Sequence, residues 1–297
     1  MNASDQTTLV TGGTGYLGSN LTASFLEKGI PVACLVRPGS EHKAPAGATI
    51  LTNGGSVEAL AASFRKLRVK TVLHLATNFV AEHDPAQIPV LIESNVTFGV
   101  KVAEAAALSG ATRFLNIGTF WQNYEGRGYS PASLYAATKQ AFETMLQYYV
   151  EARGMAAVTL KFAAVYGPDD PRAKIVGLLI DSLRSGKPLA LSPGEQLLDL
   201  IQVEDAVRAI FSGVEILNKL APGEYRSYSV TSGQPITLKG LVDVLAELTG
   251  KKAAVQWGAK PYRKREFFSD WVCDERIPNW RPQILLKEGL SRMVKGI

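Results

Sequence analysis

Tyr135-Ala136-Ala137-Thr138-Lys139 sets a phenol and an ammonium four positions apart. On a helix the two side chains share one face, a single turn from each other. A lysine cation at that spacing is expected to favour the phenolate and lower the tyrosine from its usual pKa of about 10. The phenol then hands a proton to a carbonyl oxygen at neutral pH. Thr119 closes the strand-like run Phe114-Leu115-Asn116-Ile117-Gly118. A hydroxyl at the carboxyl end of a strand can hydrogen-bond a reacting oxygen and steady charge developing on it, the alternative being an ordinary turn threonine.

A second chemical pattern lies near the start, in Thr11-Gly12-Gly13-Thr14-Gly15-Tyr16-Leu17-Gly18. Gly13-x-Gly15-x-x-Gly18 fits a dinucleotide fingerprint, in which glycines permit a tight strand-to-helix turn, a close approach of backbone to pyrophosphate, and close packing of helix on strand. The following helix would aim free N–H groups and its positive dipole end at the phosphates. Among 27 glycines an isolated match is weak; the apolar run before it and the helical period after it supply the context. Gly12, Gly15, Tyr16, Leu17 and Gly18 are therefore the expected pyrophosphate lining. About 20 residues on, where such folds read the adenosine ribose, the strand at 31–36 ends at Arg37. A guanidinium there pairs with a 2′-phosphate that an acid would repel, so NADP(H) is expected over NAD(H); a solvated loop arginine is the plainer reading.

These groups need elements to hold them. Strand-like runs at 7–11, 31–36, 49–52, 71–76, 112–117 and 157–161 alternate with helical patterns, which argues a parallel sheet covered on both faces. The long helices at 86–109 and 131–153 stop at Gly110 and Gly154. Ser130-Pro131 is the expected start of the second, serine as N-cap and proline at the first helical position. Tyr166-Gly167-Pro168-Asp169-Asp170-Pro171 breaks the alternation. The expected organisation is a doubly wound α/β domain over 1–165, to which 197–220 returns, and a smaller mixed α/β substrate domain from 166–196 and 221–297.

With 297 residues, 46% hydrophobic and 20% charged, the composition is that of an ordinary globular protein. The net charge of +5 is dispersed, with one dense basic cluster at Lys260–Arg265. A mild surplus suits a cleft that holds two diphosphates better than a nucleic acid. Cys34 and Cys273 form no CxxC, and no apolar run approaches a membrane span. A reducing, cytoplasmic setting without membrane or nucleic-acid partners is expected. His42, His74 and His83 lack metal-ligand spacing, so no metal is expected.

Together these residues resemble the extended short-chain dehydrogenase/reductases of the epimerase/dehydratase group. The resemblance adds His74-Leu75-Ala76, Asn95-Val96, Val165-Tyr166-Gly167-Pro168 and Asp199-Leu200-Ile201-Gln202-Val203-Glu204-Asp205. It implies that Tyr135 is the proton donor or acceptor, that Lys139 also holds the nicotinamide ribose, and that Thr119 shares the substrate oxygen. It also implies that Ala76, Thr77 and Asn95 flank the cofactor, that Asn53 meets the adenine amine, and that the chain forms a homodimer through a helix pair bearing Tyr148-Tyr149. Dehydratases of the group carry an Asp-Glu pair after the threonine, where this chain has Phe120 and Trp121; neither does acid–base work, and both are expected against the substrate. The segments around Ser192–Gln196 and Trp257–Glu266 look most like nucleotide-sugar 4-ketoreductases, such as those that make CDP-linked paratose and abequose. Relatives place an arginine before the aspartate for the nucleotide diphosphate; here it is Leu198, and Arg263 or Arg265 is the expected replacement, unless they belong to a solvated basic turn. The expected reaction is NADPH-dependent reduction of the C4 ketone of a nucleotide-linked 4-keto-6-deoxy- or 3,6-dideoxyhexose. The rivals are an NAD-dependent 4-epimerase and a non-catalytic dinucleotide sensor.

Overall fold

A computed structural model describes residues 6–269 and 274–296; Cys273 and Met1–Asp5 lie outside them. Strands β1 (Thr7–Thr11), β2 (Val32–Val36), β3 (Thr49–Thr52), β4 (Val69–His74), β5 (Arg113–Thr119) and β6 (Ala156–Phe162) form one parallel sheet. Helices α1 (Tyr16–Glu27), α2 (Val57–Lys66), α3 (Ile88–Ile92), α4 (Phe98–Ser109) and α5 (Leu134–Arg153) connect them. After β6 come β7 (Ala164–Tyr166), α6 (Ile175–Ser185), β8 (Leu189–Ala190), β9 (Leu197–Leu198), β10 (Leu200–Gln202) and α7 (Val203–Lys219). The chain continues through β11 (Tyr225–Val230), β12 (Ile236–Thr237), α8 (Leu238–Thr249), β13 (Val255–Gln256) and α9 (Leu286–Met293).

The main sheet has seven strands in the order β11-β6-β5-β4-β1-β2-β3. Reversal of direction beside β1 is the doubly wound pattern, and it opens a crevice at the carboxyl ends of the strands. Successive residues of a strand point to opposite faces. Val10 and Cys34 therefore pack with Leu21, Phe25 and Ile210 under α1 and α7, whereas Leu9 and Val72 pack with Phe64, Val102 and Phe142 under α2, α4 and α5. Both faces are covered, as a parallel sheet requires.

Tyr225–Val230 corrects the division at 221: it pairs in register with β6 as the edge of the main sheet, because its inward residues Tyr228 and Val230 complete the α7-side core. The smaller lobe has a core of its own, built from Tyr166, Leu179, Leu191, Leu200, Leu241 and Leu290. Three two-stranded ladders, β10-β7, β12-β9 and β13-β8, tie it together. Leu197–Leu198 belongs to one of these ladders, so the return to the main domain is made by α7.

The start of α5 also differs from the sequence expectation. Ser133 caps it, accepting from Ala136 N at 3.3 Å. Ser130 is unavailable because its backbone bridges to the 122–124 segment, with Tyr124 N donating to its carbonyl at 2.8 Å. Gly110 and Gly154 do end their helices, in the left-handed region. The 85–109 segment is helical throughout but contains one π turn, Glu93–Thr97, that turns Asn95 into the core. Among the described residues no helix is long and apolar enough to cross a membrane.

Candidate active site

The glycine loop is built by close approach. Gly12 has φ of +72°, and a Cβ there would lie 2.7 Å from the Ala76 nitrogen on the neighbouring strand end. A Cβ on Gly18 would lie 2.1 Å from the Gly12 carbonyl oxygen, so only glycine lets α1 start beneath the loop. Gly15 is the N-cap of α1; it offers no side-chain cap, and the first turn has no acid. The N–H groups of a first turn that carries no acid suit a pyrophosphate, and on that donor set the loop fits a dinucleotide. Leu17 is half-buried on α1. Tyr16 lies deeper, its hydroxyl donating to the Pro168 carbonyl at 3.0 Å with the Arg172 guanidinium 4.8 Å from its ring centroid, so it joins the loop to the 167–172 turn.

Arg37 follows β2, exposed and without an ion pair among the described residues. Asn53 follows β3, and its N–H donates to Val36 O at 2.7 Å, which sets it beside Arg37 at the same sheet edge. Ala76 N donates to Thr11 Oγ1 at 3.2 Å and carries the β4 end against the glycine loop. Asn95 is bonded on every side within the protein. Its Oδ1 accepts from Thr77 Oγ1 and Asn78 N, and its Nδ2 donates to Asn78 O and Thr138 Oγ1, at 2.7–3.0 Å. Its polar capacity is spent inside the protein, where it holds Thr77 and Asn78 in place.

Tyr135 and Lys139 are both buried on α5. The expected acidification of the phenol does not appear. Burial pushes Tyr135 up to about 12, and the adjacent Thr77 hydroxyl and the Arg172 guanidinium draw it back only in part. Lys139 is 2% exposed, with no hydrogen bond or ion pair among the described residues. Its ammonium is itself pushed down to about 8 by burial, against the pull of Glu143. Removing a phenolate from water outweighs a cation one turn away. An unpartnered buried ammonium beside the crevice fits ribose hydroxyls, which would supply the acceptors it lacks.

Thr119 is buried at the end of β5, its Oγ1 accepting from Trp121 N at 3.4 Å. Its hydroxyl proton is uncommitted. Phe120 and Trp121 lead into an aromatic wall. Trp121 lies 5.6 Å from Phe79 and 5.5 Å from Phe267, while Phe79 meets Tyr135 edge-on at 4.9 Å. Phe120 packs on Phe267 at 5.2 Å. Arg263 stacks 4.8 Å from the Trp121 ring centroid but is forked onto the buried Glu266 at 2.6 and 3.0 Å. Arg265 lies over Tyr124 at 4.4 Å and donates to Ser130 Oγ. Both arginines therefore have structural partners.

The structure adds residues that sequence reasoning missed. Lys174 is centred 3.2 Å over the Phe79 ring. It is held down to about 8 by burial first, and then by the neighbouring Arg172, with Arg263 a smaller contributor in the same direction. Arg172, Lys174 and Arg263 thus converge on the aromatic wall beside Tyr135, and Lys174 is the one without an anionic partner among the described residues. The signal available was two basic positions, Arg172 and Lys174, within a few residues of the Tyr166-Gly167-Pro168 break. Among the described residues no group of His, Cys, Asp and Glu is arranged to hold a metal ion.

Against known proteins, a profile of the NAD dependent epimerase/dehydratase family matches residues 8–227. CDP-abequose synthase of Salmonella typhimurium is 25% identical, covering 97% of each chain. That of Yersinia pseudotuberculosis is 28% identical over 87% of this chain and 89% of its own. Among solved structures, UDP-glucose 4-epimerase of Thermus thermophilus in complex with NAD is 26% identical, with a TM-score of 0.78 over 97% of both chains.

The buried ammonium yields a prediction. A cation whose pKa falls from 10.5 to about 8 on folding destabilises the fold below pH 8, and the penalty fades as pH rises from there toward 10.5. Lys139→Met is therefore expected to raise the melting temperature at pH 7 by several degrees, on the order of a few kcal/mol, with the gain shrinking between pH 8 and 10.5. Turnover of the unsubstituted enzyme is expected to fall as pH passes about 8 and the ammonium is lost. A melt at pH 7 in which Lys139→Met is no more stable than the parent would show that the cation is not strained.

Proposed function

The chain belongs to the NAD dependent epimerase/dehydratase family, and from that premise we propose that it reduces the C4 ketone of a nucleotide-linked 4-keto-6-deoxy- or 3,6-dideoxyhexose with NADPH. The observation that carries the reading is a proton-donor set without a carboxylate: Tyr135, Lys139 and Thr119, followed by Phe120 and Trp121 in an aromatic wall. Dehydration needs an acid and a base at those two positions, and neither aromatic supplies one. The similarity to CDP-abequose synthases over nearly the whole chain supports the same substrate class.

When bound, the dinucleotide supplies the hydride. The protein's share is to place and protonate the ketone. Tyr135, fully protonated at neutral pH with its pKa near 12, gives its proton to the C4 oxygen as charge builds there. Thr119 turns its uncommitted hydroxyl proton to the same oxygen. Gly12, Gly15 and Gly18 with the start of α1 hold the pyrophosphate, and Arg37 with Asn53 receives the adenosine end. The nucleotide diphosphate of the substrate is assigned to Lys174, with Arg172, itself forked onto Asp170 at 2.7 Å, beside it, and Arg263 backs Trp121. The second reading, a 4-epimerase retaining NAD, draws on the likeness to the Thermus enzyme; stoichiometric NAD released on denaturation would favour it.

We also propose a homodimer through α3 and α5, where Ile88, Val90, Met145 and Tyr148 are 40–58% exposed on adjoining helices while Tyr149 is buried. Equilibrium sedimentation is expected to give twice the chain mass, and Tyr148→Glu to return the monomer.

A panel of 4-keto-6-deoxy nucleotide sugars with NADPH, followed at the nicotinamide absorbance, tests the activity. On the accepted substrate, Tyr135→Phe is expected to lower kcat by about 10²–10⁴ with cofactor affinity nearly unchanged. Turnover near the parent's, with a deuteride isotope effect showing chemistry to be rate-limiting, would remove Tyr135 from the reaction. Arg37→Asp is expected to reverse the preference for NADPH over NADH in a binding titration at fixed salt, and a parent that prefers NADH would undo the cofactor assignment.

A further inference from the structure

The reacting groups stand on two separate elements, Thr119 at the end of β5 and Tyr135 with Lys139 on α5. Proton transfer and oxyanion stabilisation depend on how closely such spacing is held. We infer that Gln122 is the positioning residue that fixes Thr119 to the helix carrying Tyr135; its kinetic consequence rests on the reductase reading above.

Gln122 is fully buried. Its Oε1 accepts from Thr119 N at 2.8 Å, and its Nε2 donates to Gln140 Oε1 at 2.9 Å and to Glu143 Oε2 at 2.6 Å. One amide therefore grips the strand end on one side and two successive turns of α5 on the other. Gly118 makes room for it, since a Cβ there would lie 2.7 Å from Gln122 Oε1 and 3.0 Å from Lys161 Cγ.

The anchor is rigid. Glu143 accepts from Tyr225 OH at 2.7 Å and lies 3.5 Å from the buried Lys161 ammonium, which also reaches Asp274 at 3.0 Å and Asn123 at 3.2 Å. A capping box alone would use only the bond from Oε1 back to the Thr119 N–H. The two Nε2 bonds to α5 add nothing to a cap, and they are what joins the halves of the site. Because Thr119 N–H is held by Gln122 and Thr119 Oγ1 only accepts a long bond from Trp121 N, the threonine is fixed through its backbone and its hydroxyl proton stays free for the substrate.

The test is a double-mutant cycle with a substrate-independent companion. Gln122→Met keeps the length and removes both links. It is expected to lower kcat by about ten- to a hundredfold with KM within about twofold. In a Thr119→Val background it is expected to cost no more than about threefold further, because the group it positions is gone. Gln122→Glu, sharing one proton with the Glu143 carboxylate, gives up the bond to Gln140 but keeps the link to Thr119 N and the one to Glu143, and is expected to stay within about fivefold of the parent. Hydrogen exchange at the Thr119 amide is expected to quicken about tenfold or more in Gln122→Met and little in Gln122→Glu. If Gln122→Met does not fold, Gln122→Asn, one methylene too short to span the gap, takes its place. Losses that multiply with those of Thr119→Val, an unchanged kcat in Gln122→Met, or unchanged Thr119 amide exchange would each overturn the inference. Parent-like turnover in Thr119→Val would instead sink the role given to Thr119, leaving amide exchange to decide whether Gln122 holds it.

Discussion

A buried ammonium with no anion in contact among the described residues, that of Lys139, is the constraint around which the crevice is arranged. Lys139 is held in that state by α5, whose inner face also buries Phe142 and Leu146 against the sheet and cannot turn outward without exposing them. The carboxylate one turn further on does not quench the charge, because Glu143 is already committed to Gln122, Tyr225 and Lys161. Lys174 adds a second strained cation across the aromatic wall. A site with two under-compensated cations and a helix N-terminus free of acids is built to receive anionic and hydroxyl-rich ligands, and the dinucleotide and the nucleotide sugar supply both.

The sheet delivers these groups to one place for a topological reason. Every strand from β1 to β6 runs parallel, so the residues following each of them arrive at the same edge: Gly12, Arg37, Asn53, Ala76 and Thr119. Side-chain hydrogen bonds then sew neighbouring strand ends together, Thr11 to Ala76 and Asn95 to Thr77 and Asn78. The same logic extends to the edge, where Asp274 N donates to Ser229 Oγ and Asp274 carboxylate accepts from Ser227 Oγ, fastening the C-terminal segment onto β11.

Much of this was legible from residues alone because it depends on local rules. The six alternating strands, the glycine loop, the stops at Gly110 and Gly154, and the shared face of Tyr135 and Lys139 all follow from period, sterics and turn chemistry. The start of α5 was misplaced because Ser130 competes with Ser133, and only the backbone bridge to Asn123 and Tyr124 decides between them. Tyr225–Val230 reads as an isolated short strand, since nothing local says that its partner is β6, 68 residues earlier in register. Gln122 was within reach: Thr119-x-x-Gln122 has capping-box spacing. Its grip on α5 was not, because Gln140 and Glu143 are neighbours of Gln122 only in space. Lys174 is the same case, a loop cation until Phe79 is seen beneath it.

The expectation that Lys139 would acidify Tyr135 failed on a comparison of magnitudes. In water a tyrosine and a lysine titrate within about half a pKa unit of each other. Here burial drives each toward its neutral form, the phenol up to about 12 and the ammonium down to about 8. The usual near-equality becomes a clear order in which Lys139 is the stronger acid. A phenol of high pKa keeps its proton at neutral pH and yields it only to an oxygen more basic than its own phenolate, such as an alkoxide. Burial, which an isolated Tyr-x-x-x-Lys motif does not reveal, thus sets the order in which the two groups of the pair lose their protons.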